Sequence, residues 1–467
     1  FDYKDRVNNN TNIIPSWHSL NSFSLSSSYI SDDFFGMMDI NEGMMTNSNK
    51  LDLAVGRILA DSYSRAVTLV DKVESYYSNE SYDNWRNSLV VIADDVDESW
   101  ENIIQTTSNS IADLISNNKP FFNIKKILSD AYIQETSSGG ERYPDVKNEI
   151  INSMRKGALV INYFGHGGED GIARERIFNK IDAASVNNKN KLNCFVSVTC
   201  EFTKFDNPFR ETAGEFLYWN PNGGSIALIT TTRQIFVSVG VDFNLTLEQY
   251  LFSLNSSSYT SMAEALRLTK IDPSISNLSQ RRLVFFIGDP AMKLSIPKPD
   301  LIITEINGIP INQFDSNLRA LDLIKIKGAV LNNEGTINSS YNGELTATVY
   351  DKNIQRSTLG NDQTTDNNGN IIILDYQTQG EVLFRGNASV TNGNYEFEFI
   401  MPKDLRNNIG PGKFSFYSKD QNFELDNNGY NLGILMGGIN ENAEIDSTGP
   451  EIDLYMNDES FTNGGIT

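Results

Sequence analysis

The sequence predicts an α/β domain built on a mostly parallel sheet, followed by a β-sandwich. Two observations carry this expectation. Between residues 85 and 297, short unbroken apolar runs alternate with stretches of helical periodicity, the pattern of strands covered by helices on both faces. After Ile296-Pro297-Lys298-Pro299 the pattern changes to short alternating segments separated by Asn-Gly and Gly-Asn turns, which is how half-buried antiparallel strands read.

The elements follow in order. Residues 1–84 hold Asn-, Ser- and Asp-rich loops, a strand-like stretch at 51–58, and a helix at 64–76 in which Ala66, Leu69, Val70 and Val73 recur at helical spacing after Ser64 as N-cap. Leu89-Val90-Val91-Ile92-Ala93 is a buried strand ending in Asp94-Asp95-Val96-Asp97. A helix is expected at 102–115, with Ile103, Ile104, Ile111 and Ile115 on one side, then a short strand at 126–128 and a helix at 146–154. Two apolar runs, 158–163 and 194–199, lead into Phe164-Gly165-His166-Gly167-Gly168 and into Cys200-Glu201. A helix at 211–219 is stopped by Asn220-Pro221-Asn222-Gly223-Gly224, since Pro and Gly just past a helix end it. A strand at 225–230, a helix at 259–268 and a strand at 283–287 running into Gly288-Asp289-Pro290 complete the domain. The expected organisation is therefore a partial N-terminal α/β subdomain at 1–84, a main α/β subdomain at 85–297, a β-sandwich of immunoglobulin-like type at 298–437, and a linker with the start of a further β-domain at 438–467.

Composition narrows the function. The chain has 467 residues, enough for about two to four domains, and 39% of them are apolar, enough for sizeable cores. Asp and Glu number 60 against 38 Lys and Arg, a net charge of −22. Phosphate recognition needs a basic footprint, so nucleic acid and anionic membrane are poor partners. An acidic, cation-tolerant surface favours an extracytoplasmic setting. No run approaches the roughly 20 apolar residues of a membrane span. The first residue is Phe1 and the last stretch is Asn463-Gly464-Gly465-Ile466-Thr467, which gives the expectation of a fragment cut at both ends. The two cysteines, Cys194 and Cys200, sit at opposite ends of one expected strand, roughly 20 Å apart and too far for a disulfide.

The chemistry concentrates at strand ends. The chain has two histidines, so thiol chemistry near neutral pH has His166 as almost its only available base. Asp94, His166 and Cys200 all follow apolar runs, and parallel sheets build sites where the carboxyl ends of strands meet loops. A lone Cys at such a place is commonly a small core residue, and Gly-His-Gly is also a plain tight turn. Against that, polar and charged residues follow Cys200 (Glu201, Lys204, Asp206, Asn207, Arg210), a setting in which an adjacent imidazolium can stabilise a thiolate. Gly165 and Gly167 allow positive φ and close backbone approach. The N–H groups of Gly167 and Cys200 are the candidate oxyanion donors. Glu201, Thr232 and Arg233 are expected to line the substrate cleft. The Asp94, Asp95 and Asp97 cluster reads three ways: a solvated loop, a carboxylate orienting the imidazole, or oxygen ligands for Ca²⁺, though without EF-hand spacing. His18 reads as a surface residue.

These stretches resemble the gingipain-type cysteine peptidases. The resemblance rests on Phe164-Gly165-His166-Gly167-Gly168 with Cys200-Glu201. It is supported by Asp130-Ala131-Tyr132, Gly140-Glu141-Arg142-Tyr143-Pro144, Asn220-Pro221-Asn222-Gly223-Gly224, Thr230-Thr231-Thr232-Arg233 and Gly288-Asp289-Pro290, and further on by Thr304-Glu305-Ile306-Asn307-Gly308 and Gly449-Pro450-Glu451. It covers residues 1–297 most strongly and is closest to the branch that serves type IX secretion as C-terminal signal peptidase and sortase. It implies a caspase-like catalytic fold, Cys200 as nucleophile, His166 as base, and Asp94 or Asp95 as the third residue. It also implies secreted cargo with C-terminal signal domains as substrate, anionic lipopolysaccharide as acceptor, an outer-membrane β-barrel partner of the PorV type with other attachment-complex subunits, and a place on the extracellular face of the outer membrane. No cofactor is required on this reading, and calcium is admitted as a structural ion. Two rivals stand beside it: a broad secreted gingipain-like protease, and a non-enzymatic β-module scaffold.

Overall fold

The computed structural model describes residues 14–20, 28–256, 258–276, 278–422 and 425–443; the expected start of a further β-domain lies from 444 onward, outside the described residues. The N-terminal part is organised by a six-stranded sheet. Its strands in chain order are β1 (Ser88–Ala93), β2 (Asn123–Leu128), β3 (Val160–Phe164), β4 (Asn193–Ser197), β5 (Ser225–Thr231) and β6 (Val284–Ile287). They lie in the order β6-β5-β4-β3-β1-β2. All neighbours are parallel except β6, which runs antiparallel to β5 at one edge.

Successive side chains of these strands enter opposite cores, which is why the strands read as unbroken apolar runs. Leu89 and Val91 of β1 pack in one core with Cys194 and Val196 of β4, while Val90 and Ile92 pack in the other with Phe195. Among the described residues, seven helices flank the sheet: α1 (Tyr63–Tyr77), α2 (Asn102–Asn118), α3 (Pro144–Lys156), α4 (Lys180–Ser185), α5 (Ala213–Trp219), α6 (Val237–Leu251) and α7 (Met262–Ile271). Residues of α2, α6 and α7 fill the first core, and those of α3, α4 and α5 fill the second.

Local signals fix the helix ends. Pro144 opens α3 and Gly157, at φ +94°, follows its end, the asymmetry expected of residues that suit a first turn and a left-handed exit. The cap of α1 is Ser62, whose hydroxyl accepts the Arg65 N–H, rather than Ser64; both serines fit the pattern, and Ser62 sits at the spacing that meets an orphan donor of the first turn. Ile103 is 43% exposed, off the buried stripe of Ile104, Ile111 and Ile115, because a one-residue step turns a helix by about 100°. Helix α6 has no counterpart in the sequence reading. Val239, Phe243, Leu247 and Leu251 repeat every fourth residue and are buried. The expected strand at 51–58 is extended chain that joins the sheet through a single bridge, Arg57 to Ile287.

The C-terminal part differs from the expected sandwich. Strands β7 (Lys298–Ile306), β8 (Leu323–Val330), β9 (Gly343–Tyr350), β10 (Val382–Thr391), β11 (Asn394–Ile400), β12 (Lys413–Asp420) and β13 (Asp426–Asn431) form a ring in the order β7-β8-β11-β10-β9-β12-β13, and β13 pairs back onto β7 in parallel. This is a closed seven-stranded barrel. Closure leaves no free edge among these strands, and alternation of apolar and polar residues looks the same in a barrel as in a sandwich.

The barrel domain is docked on the α/β domain. Arg86 pairs with Asp426 at 2.6 Å, and the Asn87 amide donates to the Phe416 carbonyl. Between β9 and β10, residues 351–380 reach back to the carboxyl ends of β1 and β2. There Leu359 N–H donates to the Asp130 carbonyl, Asn361 N–H to the Asp130 carboxylate, and the Thr364 hydroxyl to the Asp97 carbonyl. Tyr376 packs with Ala93, Leu128 and Phe164, directly under the strand ends that carry the site.

Candidate active site

Strand register brings the histidine and the cysteine together. Tyr163 of β3 lies opposite Ser197 of β4 in a parallel pair. Three residues further along each chain come His166 and Cys200, so the two leave neighbouring strands at the same height. The loops are tied at that level by the Thr199 hydroxyl, which donates to the Gly165 carbonyl at 2.5 Å. His166 and Cys200 line one cleft of about 440 Å³, with Trp100, Phe164, Ile235 and Phe236 among its walls.

The glycines around His166 serve close approach rather than positive φ. Neither Gly165 nor Gly167 is among the positive-φ residues. A Cβ on Gly165 would lie 2.4 Å from the Asp94 Cβ, and one on Gly167 would lie 2.7 Å from the Thr199 hydroxyl oxygen. The left-handed residue at the site is Glu201, at φ +54°, a conformation that costs a non-glycine residue energy and is retained where the surroundings hold it.

The carboxylate on the imidazole is Glu101. Its Oε1 lies 2.6 Å from His166 Nε2, and its Oε2 accepts the Glu98 N–H at 2.7 Å. Glu101 is 1% exposed and closes a capping box at the turn leading into α2, so the helix start holds it rigidly against the ring. This contact raises the His166 pKa above its ordinary value, with the nearby Asp94 charge adding to it. Helical periodicity in the sequence starts at 102 and leaves Glu101 just outside. The missed signal was an acid three residues after Glu98 at a helix start, where its carboxylate meets backbone donors. Trp100 was missed likewise; its ring sits edge-on to the His166 ring at 6.0 Å.

Asp94 and Asp95 do not touch the imidazole ring. Asp94 Oδ2 accepts the backbone N–H of His166 at 2.7 Å and the Tyr163 hydroxyl at 3.2 Å; it supports the loop rather than the ring. Asp95 accepts the Tyr143 hydroxyl at 2.9 Å. Together with Glu175, these acids form a buried group whose carboxylate oxygens lie within 4.8 Å of one another. Burial pushes the Asp94 pKa up to about 6, Glu175 to about 7 and Asp95 to about 9, with mutual repulsion adding to the last two. Asp94 Oδ1 is buried with no hydrogen-bond partner. Three convergent carboxylates with a spare oxygen fit a hard, oxygen-seeking cation such as Ca²⁺.

The thiol of Cys200 donates to the Ile235 carbonyl at 3.9 Å, and no hydrogen bond joins it to His166. Burial in the cleft raises its pKa, and Glu201 pushes the same way. The backbone N–H of Cys200 has no partner within the described residues, so it is free to donate to a carbonyl oxygen. Gly167 is paired with Ile172 in a short antiparallel ladder.

The other expected cleft residues lie elsewhere. Thr232 is fully buried. The Arg233 guanidinium is held by both oxygens of Asp206 at 2.8 and 2.6 Å. Glu201 pairs with Lys204 at 2.6 Å. None of the three lines the cleft. Cys194 is buried and free, in the core of the sheet. His18 is exposed, in a two-residue strand paired with Ile30–Ser31. Among the described residues no helix is long and apolar enough to cross a membrane.

Comparison with known proteins places this geometry in context. The model of peptidase family C25 matches residues 1–295. Among solved structures, the Arg-specific cysteine proteinase gingipain R is 15% identical over 87% of this chain and 79% of its own, with a TM-score of 0.46. The complex of pro- and mature domains of RgpB from Porphyromonas gingivalis is 15% identical, over 87% of this chain and 81% of that one, with a TM-score of 0.45. Dimeric latent PorU from Porphyromonas gingivalis is 19% identical over 96% of this chain but 36% of that one, with a TM-score of 0.33. Comparison with curated proteins finds no match.

Proposed function

The chain belongs to peptidase family C25, and from that premise we propose a cysteine endopeptidase that also acts as a transpeptidase on secreted proteins. The observation that carries the peptidase part is the shared cleft: Cys200 and His166 leave adjacent strands at one level, with Glu101 fixed on Nε2 of the ring. Nε2 is engaged by Glu101, so Nδ1 is the nitrogen left to exchange a proton with the thiol.

In the proposed reaction, Cys200 Sγ attacks the scissile carbonyl carbon and its proton passes to His166. The carbonyl oxygen gains charge and is met by the Cys200 N–H. The C–N bond breaks as His166 gives that proton to the leaving amine, and a thioester to Cys200 remains. An incoming amine, or water, then attacks the thioester. His166 takes the attacker's proton, the C–S bond breaks, and the thiol is restored.

The substrate part of the reading rests on the sequence stretches that resemble the type IX secretion branch. On that reading the bond cleaved precedes a cargo protein's C-terminal signal domain, and the acceptor is an amine on anionic lipopolysaccharide. The reaction then takes place at the outer face of the outer membrane, beside a β-barrel partner of the PorV type and other attachment subunits. The test is incubation of the protein with intact cargo and a small primary amine, followed by mass analysis of the new C-terminus. Removal of the signal domain with amide formation is expected. Cleavage of casein or of short Arg and Lys substrates with cargo left intact would favour a broad protease instead.

A structural calcium held by Asp94, Asp95 and Glu175 belongs to the same proposal. It would lock the loop that carries the His166 backbone contact. Because an ion that binds only the folded state stabilises it, millimolar Ca²⁺ is expected to raise Tm by several degrees over EDTA. Glu175→Gln should remove most of that shift; an unchanged Tm in the unaltered protein would dispose of the site.

A further inference from the structure

The cleft that Cys200 lines is a recess walled mainly by Trp100, Ile104, Phe164, Ile235, Phe236 and Val237. Two of these stand unusually open for large apolar side chains, Trp100 at 46% and Phe236 at 60% exposed. Among the described residues, no acidic side chain lines the recess. Of the carboxylates behind the wall, Glu101 has both oxygens occupied by His166 and the Glu98 N–H, Asp94 accepts the His166 N–H, and Glu201 is paired with Lys204. Of the hydroxyls on the wall, that of Thr199 is spent on the Gly165 carbonyl, and that of Ser238 carries no charge.

We propose that this recess is the pocket for the side chain on the acyl side of the scissile bond, and that it selects an uncharged, apolar residue and rejects lysine and arginine. This rests on the peptidase reading above. We place there the side chain of the residue whose carbonyl is attacked, because its Cα is bonded directly to the carbon that Cys200 reaches, one bond closer than the Cα on the amine side. A lysine or arginine placed there would lose its water and meet no counter-charge, which is far more costly than burying an apolar side chain. An aromatic or branched aliphatic side chain would instead cover Trp100 and Phe236, removing apolar surface from water.

The test uses acyloxymethyl ketones that differ only in that one residue, with the rate of Cys200 alkylation read by mass spectrometry and Cys200→Ala as blank. The phenylalanine and leucine probes are expected to react at least about 100-fold faster than the lysine and arginine probes. Ser238→Asp, an exposed residue of the recess in the first turn of α6, puts a carboxylate where a helix N-terminus favours it. That variant should narrow the ratio by at least about tenfold. Equal rates in the unaltered protein, or faster reaction with the basic probes, would overturn the pocket assignment while leaving the peptidase reading intact. So would failure of every peptidyl probe when iodoacetamide still labels Cys200. If no thiol reagent reaches Cys200, the peptidase reading falls and the pocket falls with it.

Discussion

Replacing Cys200 by alanine is expected to lower kcat/KM by about 10⁴- to 10⁶-fold, the scale seen when one member of a nucleophile–base unit is removed. The loss follows from the proposed reaction. Without sulfur no thioester forms, and water must attack the peptide directly with only the oxyanion donor and the binding groove to help it. The fold should be indifferent to the change. Cys200 lies past the end of β4 in a loop, and its thiol makes one long contact to the Ile235 carbonyl. Cys194→Ala is the informative control, because that thiol is packed in the sheet core. Removing it should cost about 1–2 kcal/mol of stability and leave turnover of the surviving molecules unchanged. Circular dichroism melts and cleavage of a cargo substrate, measured on both variants, separate the two roles. Normal cargo processing by Cys200→Ala would reject the nucleophile assignment.

The contrast between the two cysteines was legible in the sequence only in part. Both flank one apolar run, and the run itself shows a strand buried on both faces. The parallel sheet, five of its flanking helices and the placement of His166 and Cys200 after two successive strands follow from the periodicity of the chain. What periodicity lacks is register. The pairing of Tyr163 with Ser197 sets the two loops level, and it arises from the packing of both cores at once.

The barrel escaped for a related reason. Alternation in segments such as 323–328 and 395–400 reports one buried face per strand; the closing pair is β7 with β13, elements more than a hundred residues apart. Helix α6 escaped because polar residues fall on its buried side too: Asn244, Thr246 and Glu248 are buried with the apolar stripe, which blurs the contrast of faces. Asp94 and Asp95 drew attention as the acids nearest a strand end. Glu101 sits a loop further on, and its direction toward the ring comes from a capping box and not from its distance along the chain.

Glu101→Gln should separate these acids. The substitution keeps an oxygen for the Glu98 N–H, since Gln serves the capping box as Glu does, so the start of α2 should hold and Tm should change little. What it removes is the negative charge at 2.6 Å from His166 Nε2. That charge fixes which ring nitrogen bears the proton and stabilises the imidazolium formed when the thiol gives up its own. Loss of the comparable group in a serine triad costs about 10⁴-fold in kcat. A fall of about 10²- to 10⁴-fold is expected here, with KM nearly unchanged because Glu101 does not line the cleft.

The pH profile gives an independent reading. Glu101 raises the His166 pKa; removing its charge lowers it, so a larger fraction of His166 is neutral at a given acidic pH. The acidic limb of kcat/KM should therefore move to lower pH even as its plateau drops. A merely structural role would lower the plateau without moving the limb. Asp94→Asn, by comparison, touches the His166 backbone and the Tyr163 hydroxyl and leaves the ring contact in place. Its main effect should be on Tm, with a smaller loss of kcat than Glu101→Gln. The reverse order of the two variants in kcat would return the orienting role to the acid at the end of β1.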